Sequence, residues 1–250
     1  SIFKMIIGKK VIEKGITGST NELAERLLGT DYLPEGTVIT ASYQTAGKGH
    51  GSNAWYSEKG RNLLMSVILR PSYLEAGEQF LISMFVSLGI RDMLMEATED
   101  IDVKVKWPND ILAGENKIAG ILIHNAVSGR YLAHSIIGIG LNINQDSFPE
   151  EAGYAVSLKM LTSREHELLA CRKHLFGSLD KRLTMVTGSP GRLKKDYLGS
   201  LYRYRKMADY VINEKRVEAM ITGVDEFGRL CLSGKRGEEF ICDIKELKYL

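Results

Sequence analysis

The sequence predicts an α+β protein with two domains: a mixed β-sheet flanked by helices over residues 1–204, and a small β-barrel over residues 205–250. Before residue 205, helical patterns are interspersed with patterns of paired antiparallel strands, as in α+β domains. After it, short strand patterns are separated by tight turns, as in small barrels. The length of 250 residues, with 44% hydrophobic and 26% charged, suits one large domain with a sizeable core and one small domain.

The first predicted elements are a helix at 21–28 and a strand at 37–42. Ser19 and Glu22 have the spacing of a capping box, in which the two side chains satisfy backbone N–H groups at the start of a helix. The strand leads into a glycine-rich loop at 46–54, because clustered glycines interrupt regular structure.

The middle of the chain supplies the main helix and most of the predicted sheet. Segment 79–95 has apolar residues at helical spacing and on most faces, so we expect a well-buried helix. Segments 62–69 and 103–107 are apolar, end near a proline and predict strands. Segments 117–124 and 131–141 predict an antiparallel hairpin.

The last third of the chain changes from helical to strand-like patterns. Two helices are predicted, at 163–186 and 192–203. Three short strands follow, at 217–223, 229–233 and 239–243, and they form the predicted small β domain.

Composition limits the class of protein. A net charge of +2 is too small to indicate a nucleic-acid partner. The cysteines at 171, 231 and 242 are far apart and form no Cys-x-x-Cys pair, so we expect reduced thiols in a cytoplasmic protein and no zinc site. No apolar run has the length of a membrane span, and the first residues do not have the pattern of a signal peptide.

The loop segment 47–52, Gly-Lys-Gly-His-Gly-Ser, is the first candidate for chemistry. Its alternating glycines allow the backbone to approach a ligand closely, its N–H groups can cradle an anion, and Lys48 adds positive charge. It matches neither the Walker A pattern nor Gly-x-Gly-x-x-Gly. On composition alone, a flexible surface loop is an equally good interpretation.

Two strand ends also carry polar groups. Segment 106–110, Lys-Trp-Pro-Asn-Asp, can reach into a cleft, although a strand followed by a turn with a buried tryptophan is the better interpretation of the residues alone. Lys117 opens an apolar strand, and Gly120 within that strand indicates close approach of a ligand or another backbone. The alternative is an edge lysine and a packing glycine. Residues 19–21 would present helix N-terminal donors to a ligand.

Five motifs, in this order, resemble the biotin–protein ligase family. One motif alone would be weak, but five in order are specific. Two departures stand out: segment 48–52 has less positive charge than the Arg-rich loop of many members, and His124 stands where many have Glu. The motifs are Ser-Thr-Asn at 19–21, Gln-x-x-Gly-Lys-Gly at 44–49 leading to Trp55, Lys-Trp-Pro-Asn-Asp at 106–110, Lys-x-x-Gly-Ile-Leu at 117–122 and Gly-x-Gly-x-Asn at 138–142.

The resemblance implies a two-step reaction. Biotin attacks ATP to give biotinyl-5′-AMP, and a lysine of a biotin carboxyl carrier protein domain then takes the biotin. ATP and biotin are the substrates, and Mg²⁺ is expected mainly on ATP oxygens. The resemblance also implies that the first domain is catalytic, that the C-terminal domain is an SH3-like barrel that helps with ATP or the carrier, and it allows a homodimer.

The resemblance assigns roles to particular residues. Lys117 is expected to hold the carboxylate and the α-phosphate together and to offset the charge that develops there. Asp110 is expected to support a magnesium shell or to orient a lysine, and no residue is expected to ligate a metal directly. The biotin-binding set is Ser19, Thr20, Asn21, Gln44, Gly47, Lys48, Gly49, His50, Lys117, Gly120 and Leu122. The ATP-binding set is Lys48, Trp55, Lys106, Asn109 and Asn142.

Three alternatives remain. The nearest is a lipoate–protein ligase, which also forms an adenylate. The second is a biotin-responsive repressor, but the first motif lies at Ser19, so we expect no preceding helix-turn-helix domain and no specific DNA binding. The third is a non-catalytic binding module built on basic residues of the tail, for which a solvated face is the better interpretation. Those residues are Lys215, Arg216, Arg229, Lys235 and Arg236.

Overall fold

A computed structural model describes residues 5–51, 53–98 and 100–250. Within these ranges, the first part of the chain contains seven strands and five helices, with short 3₁₀ turns at Ala76–Glu78 and Glu150–Ala152. The strands are β1 Val11–Thr17, β2 Thr37–Gln44, β3 Leu63–Leu69, β4 Val103–Lys106, β5 Asp110–Ala113, β6 Asn116–Ser128 and β7 Tyr131–Leu141. The helices are α1 Thr20–Thr30, α2 Phe80–Thr98, α3 Leu158–Thr162, α4 Leu168–Gly188 and α5 Pro190–Ser200.

The seven strands form one mixed sheet in the order β1-β2-β3-β7-β6-β5-β4. Only the β1–β2 pair is parallel, and the other pairs are antiparallel. The sheet therefore confirms the predicted α+β class with a mixed sheet and the predicted hairpin of β6 and β7.

Helices cover both faces of the sheet, which explains why all seven residues of central strand β3 are buried. Alternate side chains of a strand point to opposite faces. Ile68 packs with α1 residues Leu23 and Ala24, whereas Met65 and Val67 belong to the larger core that includes α2. The face that carries α1 also carries the candidate site.

The chain after residue 205 forms a second, antiparallel sheet. Its strands are β8 Met207–Ile212, β9 Lys215–Val224, β10 Leu230–Gly234, β11 Glu239–Cys242 and β12 Leu247–Tyr249, in the order β11-β10-β9-β8-β12. Among the described residues, β11 and β12 are the two edges and do not pair with each other. The pairing therefore does not confirm the closed barrel predicted for this segment.

The second sheet packs directly on the first part of the chain. The Trp107 Nε1–H donates to the Gly228 carbonyl at 2.9 Å. Gly228 has φ +84° and its Cα faces the ring of Phe80, where a side chain would collide. The large buried cluster includes Tyr210 and Ile221 as well as the main-sheet residues. The division of the chain into domains at residue 205 stays a prediction.

Three details differ from the sequence-based prediction. Ser19 is the N-cap of α1, but its side chain makes no capping hydrogen bond, so the predicted capping box is wrong. The helix predicted at 163–186 begins later, at Leu168, because Ser163 is left-handed, with φ 55°, and is the C-cap of α3. The carboxylate of Glu167 then caps α4 by accepting from the N–H groups of Leu169 and Ala170. Strands β1, β5, β8 and β12 were not predicted.

Candidate active site

A cleft of about 730 Å³, partly open to solvent, lies on the α1 face of the main sheet. It is bounded by the start of α1, the end of β2, the glycine-rich loop and the central parts of β6 and β7. It brings together residues from all five sequence motifs. Its lining is Ser19, Thr20, Asn21, Gln44, Lys48, Gly49, His50, Asn53, Ala54, Trp55, Met65, Asn109, Asp110, Lys117, Gly120, Ile121, Leu122, Gly138, Ile139 and Gly140.

One end of the cleft is a largely buried network of polar side chains. The Thr20 N–H donates to the Gln44 Oε1 at 2.8 Å, and the Thr20 hydroxyl lies 3.1 Å from the same oxygen. The Ser66 Oγ lies 2.8 Å from the Thr20 Oγ1 and 2.6 Å from the Asn21 Oδ1. The Asn21 Nδ2 donates to the Leu122 carbonyl at 3.1 Å. We call these four residues, Thr20, Asn21, Gln44 and Ser66, the polar network.

Sequence reasoning found three members of this network and missed Ser66. Ser66 does not line the cleft and is fully buried on β3. The available signal was a lone hydroxyl in an otherwise apolar central strand, since a buried polar group needs a hydrogen-bond partner. Close packing extends to β7, because a Cβ on Gly138 would lie 2.6 Å from the Asn21 Oδ1.

The indole of Trp55 rests on two glycines that face each other across β6 and β7. Gly120 and Gly140 are register partners. A Cβ on Gly120 would lie 2.8 Å from the Trp55 Cζ3, and one on Gly140 would lie 2.7 Å from the Trp55 Cζ2 and collide with its Cε2. Gly120, which the resemblance puts in the biotin-binding set, lies beneath the tryptophan ring. The Trp55 Nε1 is buried without a hydrogen-bond partner among the described residues.

Lys117 and Asp110 form an ion pair within the cleft. The Lys117 Nζ lies 2.7 Å from the Asp110 Oδ1, with side chains 34% and 27% exposed. The same Nζ lies 5.5 Å from the centre of the Trp55 ring, within the range of a cation–π contact. The ammonium is therefore held between a carboxylate and an aromatic face while remaining accessible to a ligand.

The glycine-rich loop folds as a short hairpin in front of the cleft. Lys48 and Ala54 form an isolated antiparallel β-bridge, and the Trp55 N–H donates to the Gly47 carbonyl at 2.9 Å. A Cβ on Gly47 would lie 2.6 Å from the Trp55 carbonyl oxygen, so Gly47 supports the loop without lining the cleft. The Lys48 Nζ lies 2.5 Å from the Glu22 Oε1. This hydrogen bond and charge pair lowers the pKa of Glu22 and raises the pKa of Lys48.

Two other predicted residues lie outside the cleft lining. The Lys106 ammonium lies 4.8 Å from the centre of the Tyr249 ring, and burial lowers the pKa of Lys106. Asn142 is buried, its Nδ2 donates to the Val156 carbonyl at 3.1 Å, and its Oδ1 has no partner in the described part of the chain. Asn109 does line the cleft, and its Nδ2 donates to the Ile121 carbonyl at 2.9 Å.

The His124 imidazole, at a departure from the family pattern, lies 3.7 Å from the Glu25 carboxylate on α1 and outside the cleft. Among residues 5–51, 53–98 and 100–250, no cluster of three or more His, Cys, Asp or Glu side chains is arranged to hold a metal ion. None of the helices in these ranges has the length and apolarity needed to cross a membrane.

The fold and the cleft define a class: an α+β protein with a small-molecule site that combines a buried polar end, an aromatic surface and two lysines. Such a site suits an organic ligand that carries negative charge. The chain belongs to the Biotin/lipoate A/B protein ligase family, whose model matches residues 15–142.

Individual relatives agree with this assignment. A protein of Bacillus spizizenii named bifunctional ligase/repressor BirA is 35% identical over 183 residues, which are 71% of this chain and 54% of the relative. A Mycobacterium tuberculosis protein named biotin–[acetyl-CoA-carboxylase] ligase is 29% identical over 222 residues, which are 86% of this chain and 80% of the relative. The chain thus spans about half the length of the Bacillus relatives.

The fold matches a solved structure over nearly its whole length. The biotin protein ligase of Aquifex aeolicus in complex with biotin and ATP superposes with a TM-score of 0.79 and 24% identity, covering 97% of this chain and all of that one. At this identity the match concerns the fold alone.

Proposed function

We propose that this chain is a biotin–protein ligase, which forms biotinyl-5′-AMP from biotin and ATP and transfers biotin to a lysine of a biotin carboxyl carrier protein. The observation that carries the proposal is a single cleft that holds the polar network at one end and the Lys117–Asp110 pair beside Trp55. The family match and the ligands named for the Aquifex structure support it.

In the first step, a biotin carboxylate oxygen bonds to the α-phosphorus while the bond to the bridging oxygen breaks and pyrophosphate leaves. Two anionic groups must approach each other, so a nearby cation lowers the barrier. We assign this role to Lys117, whose ammonium Asp110 orients by a 2.7 Å contact. In the second step, the neutral amine of a carrier lysine attacks the mixed anhydride and AMP leaves.

The residues of the cleft do not form a protein-held magnesium site. Asp110 is the one carboxylate among the described lining residues, and it is paired with Lys117. Mg²⁺ bound by ATP oxygens and water would need no further protein ligands. We assign Asp110 to orienting Lys117, and no step here depends on a metal.

The nucleotide would lie on the side of the cleft formed by the loop, Trp55 and Asn109. Lys106 and Asn142 remain in the proposed ATP-binding set only as neighbours, because neither lines the cleft. We assign residues 1–204 to catalysis. The second sheet, proposed to be SH3-like in spite of its two open edges, would support ATP or carrier binding. The homodimer, the cytoplasmic location and the absence of specific DNA binding stay predictions.

The second candidate is a lipoate–protein ligase, since the family model includes both activities. The polar network favours biotin. The ureido ring of biotin offers N–H donors and a carbonyl acceptor, whereas the dithiolane ring of lipoate offers neither, and would leave buried polar groups without partners.

Pyrophosphate release with Mg-ATP and either biotin or lipoate tests the proposal. We expect release with biotin and little with lipoate. Release with lipoate alone would transfer the assignment to the second candidate. Release with neither, from folded protein, would contradict both.

A further inference from the structure

The polar network has three close oxygen–oxygen contacts but only two hydroxyl protons that can form hydrogen bonds across them. Three oxygen–oxygen contacts are within hydrogen-bond distance: Ser66 Oγ to Asn21 Oδ1 at 2.6 Å, Ser66 Oγ to Thr20 Oγ1 at 2.8 Å, and Thr20 Oγ1 to Gln44 Oε1 at 3.1 Å. Each hydrogen bond needs its own proton, and a hydroxyl has one.

The two amides cannot supply the missing proton. The Thr20 N–H donates to the Gln44 Oε1 at 2.8 Å, which identifies that atom as the carbonyl oxygen. The Asn21 Nδ2 donates to the Leu122 carbonyl at 3.1 Å, so the atom facing Ser66 is the Asn21 oxygen. Both amide oxygens are acceptors only. The hydroxyls of Thr20 and Ser66 must serve all three contacts, and one contact lacks a proton.

Burial decides which contact that is. Ser66 is fully buried, and its hydroxyl is the hydrogen-bond donor that faces the Asn21 Oδ1, whereas the Gln44 Oε1 already accepts from the Thr20 N–H. Leaving a buried acceptor without a donor is costly. Ser66 therefore donates to Asn21, and Thr20 donates to Ser66 across the 2.8 Å contact. The contact without a proton is the longest one, between Thr20 and Gln44.

We propose that Ser66 is a positioning residue that draws the Thr20 proton into the protein, so that Thr20 presents only lone pairs to the cleft. A ligand that binds there must offer an N–H at Thr20. This inference rests on the proposed function, in which the donor is one of the two ureido N–H groups of biotin. Ser66 acts through Thr20 and does not touch the ligand.

The test compares biotin with its two cyclic-carbamate analogues, in each of which an oxygen replaces one ureido N–H. Isothermal titration calorimetry gives the Kd of each ligand. For the wild type, we expect at least one analogue to bind about tenfold or more weakly than biotin, because two acceptors then face each other.

Ser66→Ala removes the acceptor of the Thr20 proton. The hydroxyl can then donate to an acceptor on the ligand, in competition only with the longer 3.1 Å contact to the Gln44 Oε1, which already accepts from the Thr20 N–H. We expect the ratio of analogue Kd to biotin Kd to fall to about threefold or less. Ser135→Ala is the matched control, since Ser135 is fully buried on neighbouring strand β7 and lies outside the cleft lining. This control should keep the wild-type ratio.

Thr20→Val provides a second variant in case Ser66→Ala fails to fold, and it should abolish the discrimination by removing the acceptor. A wild-type ratio in Ser66→Ala or in Thr20→Val would overturn the proposal, even if all affinities fell together. Equal binding of biotin and both analogues by the wild type would overturn it while leaving the proposed function intact. No biotin binding by the wild type would contradict both.

Discussion

The polar network and the glycine-rich loop belong to the same cleft and are built in different ways. Three of the four network residues are buried and Gln44 is half-buried. Their side chains, from α1, β2 and β3, are bonded to one another and to backbone groups of α1 and β6. The loop is held mainly by a few backbone bonds and by the Lys48–Glu22 pair, whose side chains are 54% and 46% exposed. Groups ordered in advance lose little entropy on binding, whereas an exposed loop can open and close.

This contrast suggests a division of labour in the proposed reaction. The network would recognise biotin with little rearrangement. The loop would close over the nucleotide, and Lys117, which lines the same cleft, would act at the junction of biotin and nucleotide. Substitutions at the junction, at the loop support and in the loop itself should therefore differ in size of effect, and the following predictions test that order.

The largest effect is expected at the junction. Lys117→Gln removes a positive charge from the site of adenylation while keeping a donor for Asp110. We expect adenylation to slow by about 10²-fold or more, because such electrostatic groups typically contribute that much. The melting temperature should stay near that of the wild type. Pyrophosphate release and thermal unfolding measure the two effects.

Lys104→Gln is the matched control for Lys117→Gln. Lys104 is 30% exposed, pairs with Asp102 at 3.3 Å and lies outside the cleft lining. It should retain wild-type activity. Synthetic biotinyl-AMP should partly restore biotin transfer by Lys117→Gln, because it bypasses the affected step. Near wild-type pyrophosphate release by Lys117→Gln would remove this residue from the proposed mechanism.

A smaller effect is expected at the support of the loop. The Cβ of Gly140→Ala would overlap the indole of Trp55. The ring must shift, and with it the strand of the loop that ends at Trp55. Overpacking of this kind costs about 1–3 kcal/mol. We expect kcat/KM for ATP to fall by about tenfold, with a smaller change in the Kd for biotin, which the polar network is proposed to bind.

Gly177→Ala serves as the control for added volume, because nothing lies within 4 Å of a Cβ at this α4 position. Relative to glycine, alanine should stabilise the helix slightly. An equal loss of biotin and ATP binding in Gly140→Ala would contradict the proposal that the polar network and the glycine-rich loop act independently.

Sequence alone predicted the elements whose patterns are local and missed those that depend on contacts between distant residues. Long periodic segments such as α2 and the β6–β7 hairpin were predicted because their patterns are local. Strand β1 was missed because it lies at the sheet edge with four of its seven residues exposed, which removes the apolar alternation. Strand β5 has only four residues and directly follows the predicted turn.

The site shows the same limit. Contiguous motifs located Thr20, Gln44, Lys117 and Trp55 in one cleft. Ser66 was missed because its partners are distant in sequence, and nothing local distinguishes its hydroxyl from a packing serine.

Sequence reasoning assigned Lys106 to the ATP-binding set but did not predict its contact with Tyr249, because Tyr249 belongs to the second sheet and no local pattern indicates that contact. The capping box was wrong for a related reason: Glu22, which it required at the helix start, pairs instead with Lys48 of the loop.

The smallest effect is expected in the loop itself, at the Lys48–Glu22 pair. Glu22→Gln keeps the shape of the side chain and removes its charge, so the Lys48 side chain should separate from residue 22 on α1 more often. Exposed pairs contribute little, so we expect trypsin to cut after Lys48 only about twofold faster in the ligand-free variant. Glu218→Gln, which breaks the similarly exposed pair with Lys235 on the second sheet, is the control and should leave this cleavage unchanged.

The pH dependence gives this prediction a definite sign. The bond to Lys48 lowers the pKa of Glu22 below its ordinary value of 4.5. The pair is therefore intact above that value and is lost as the pH falls through the lowered pKa of Glu22. Loop protection in hydrogen exchange, corrected for intrinsic rates, should be constant around neutral pH and should decrease only in acid. In Glu22→Gln this acid-dependent decrease should disappear. Biotin with ATP should protect the loop in both proteins, because closure over the ligand does not depend on Glu22. If ligand protection were lost in Glu22→Gln, the pair would be part of the closed site, and the loop would be as preformed as the polar network.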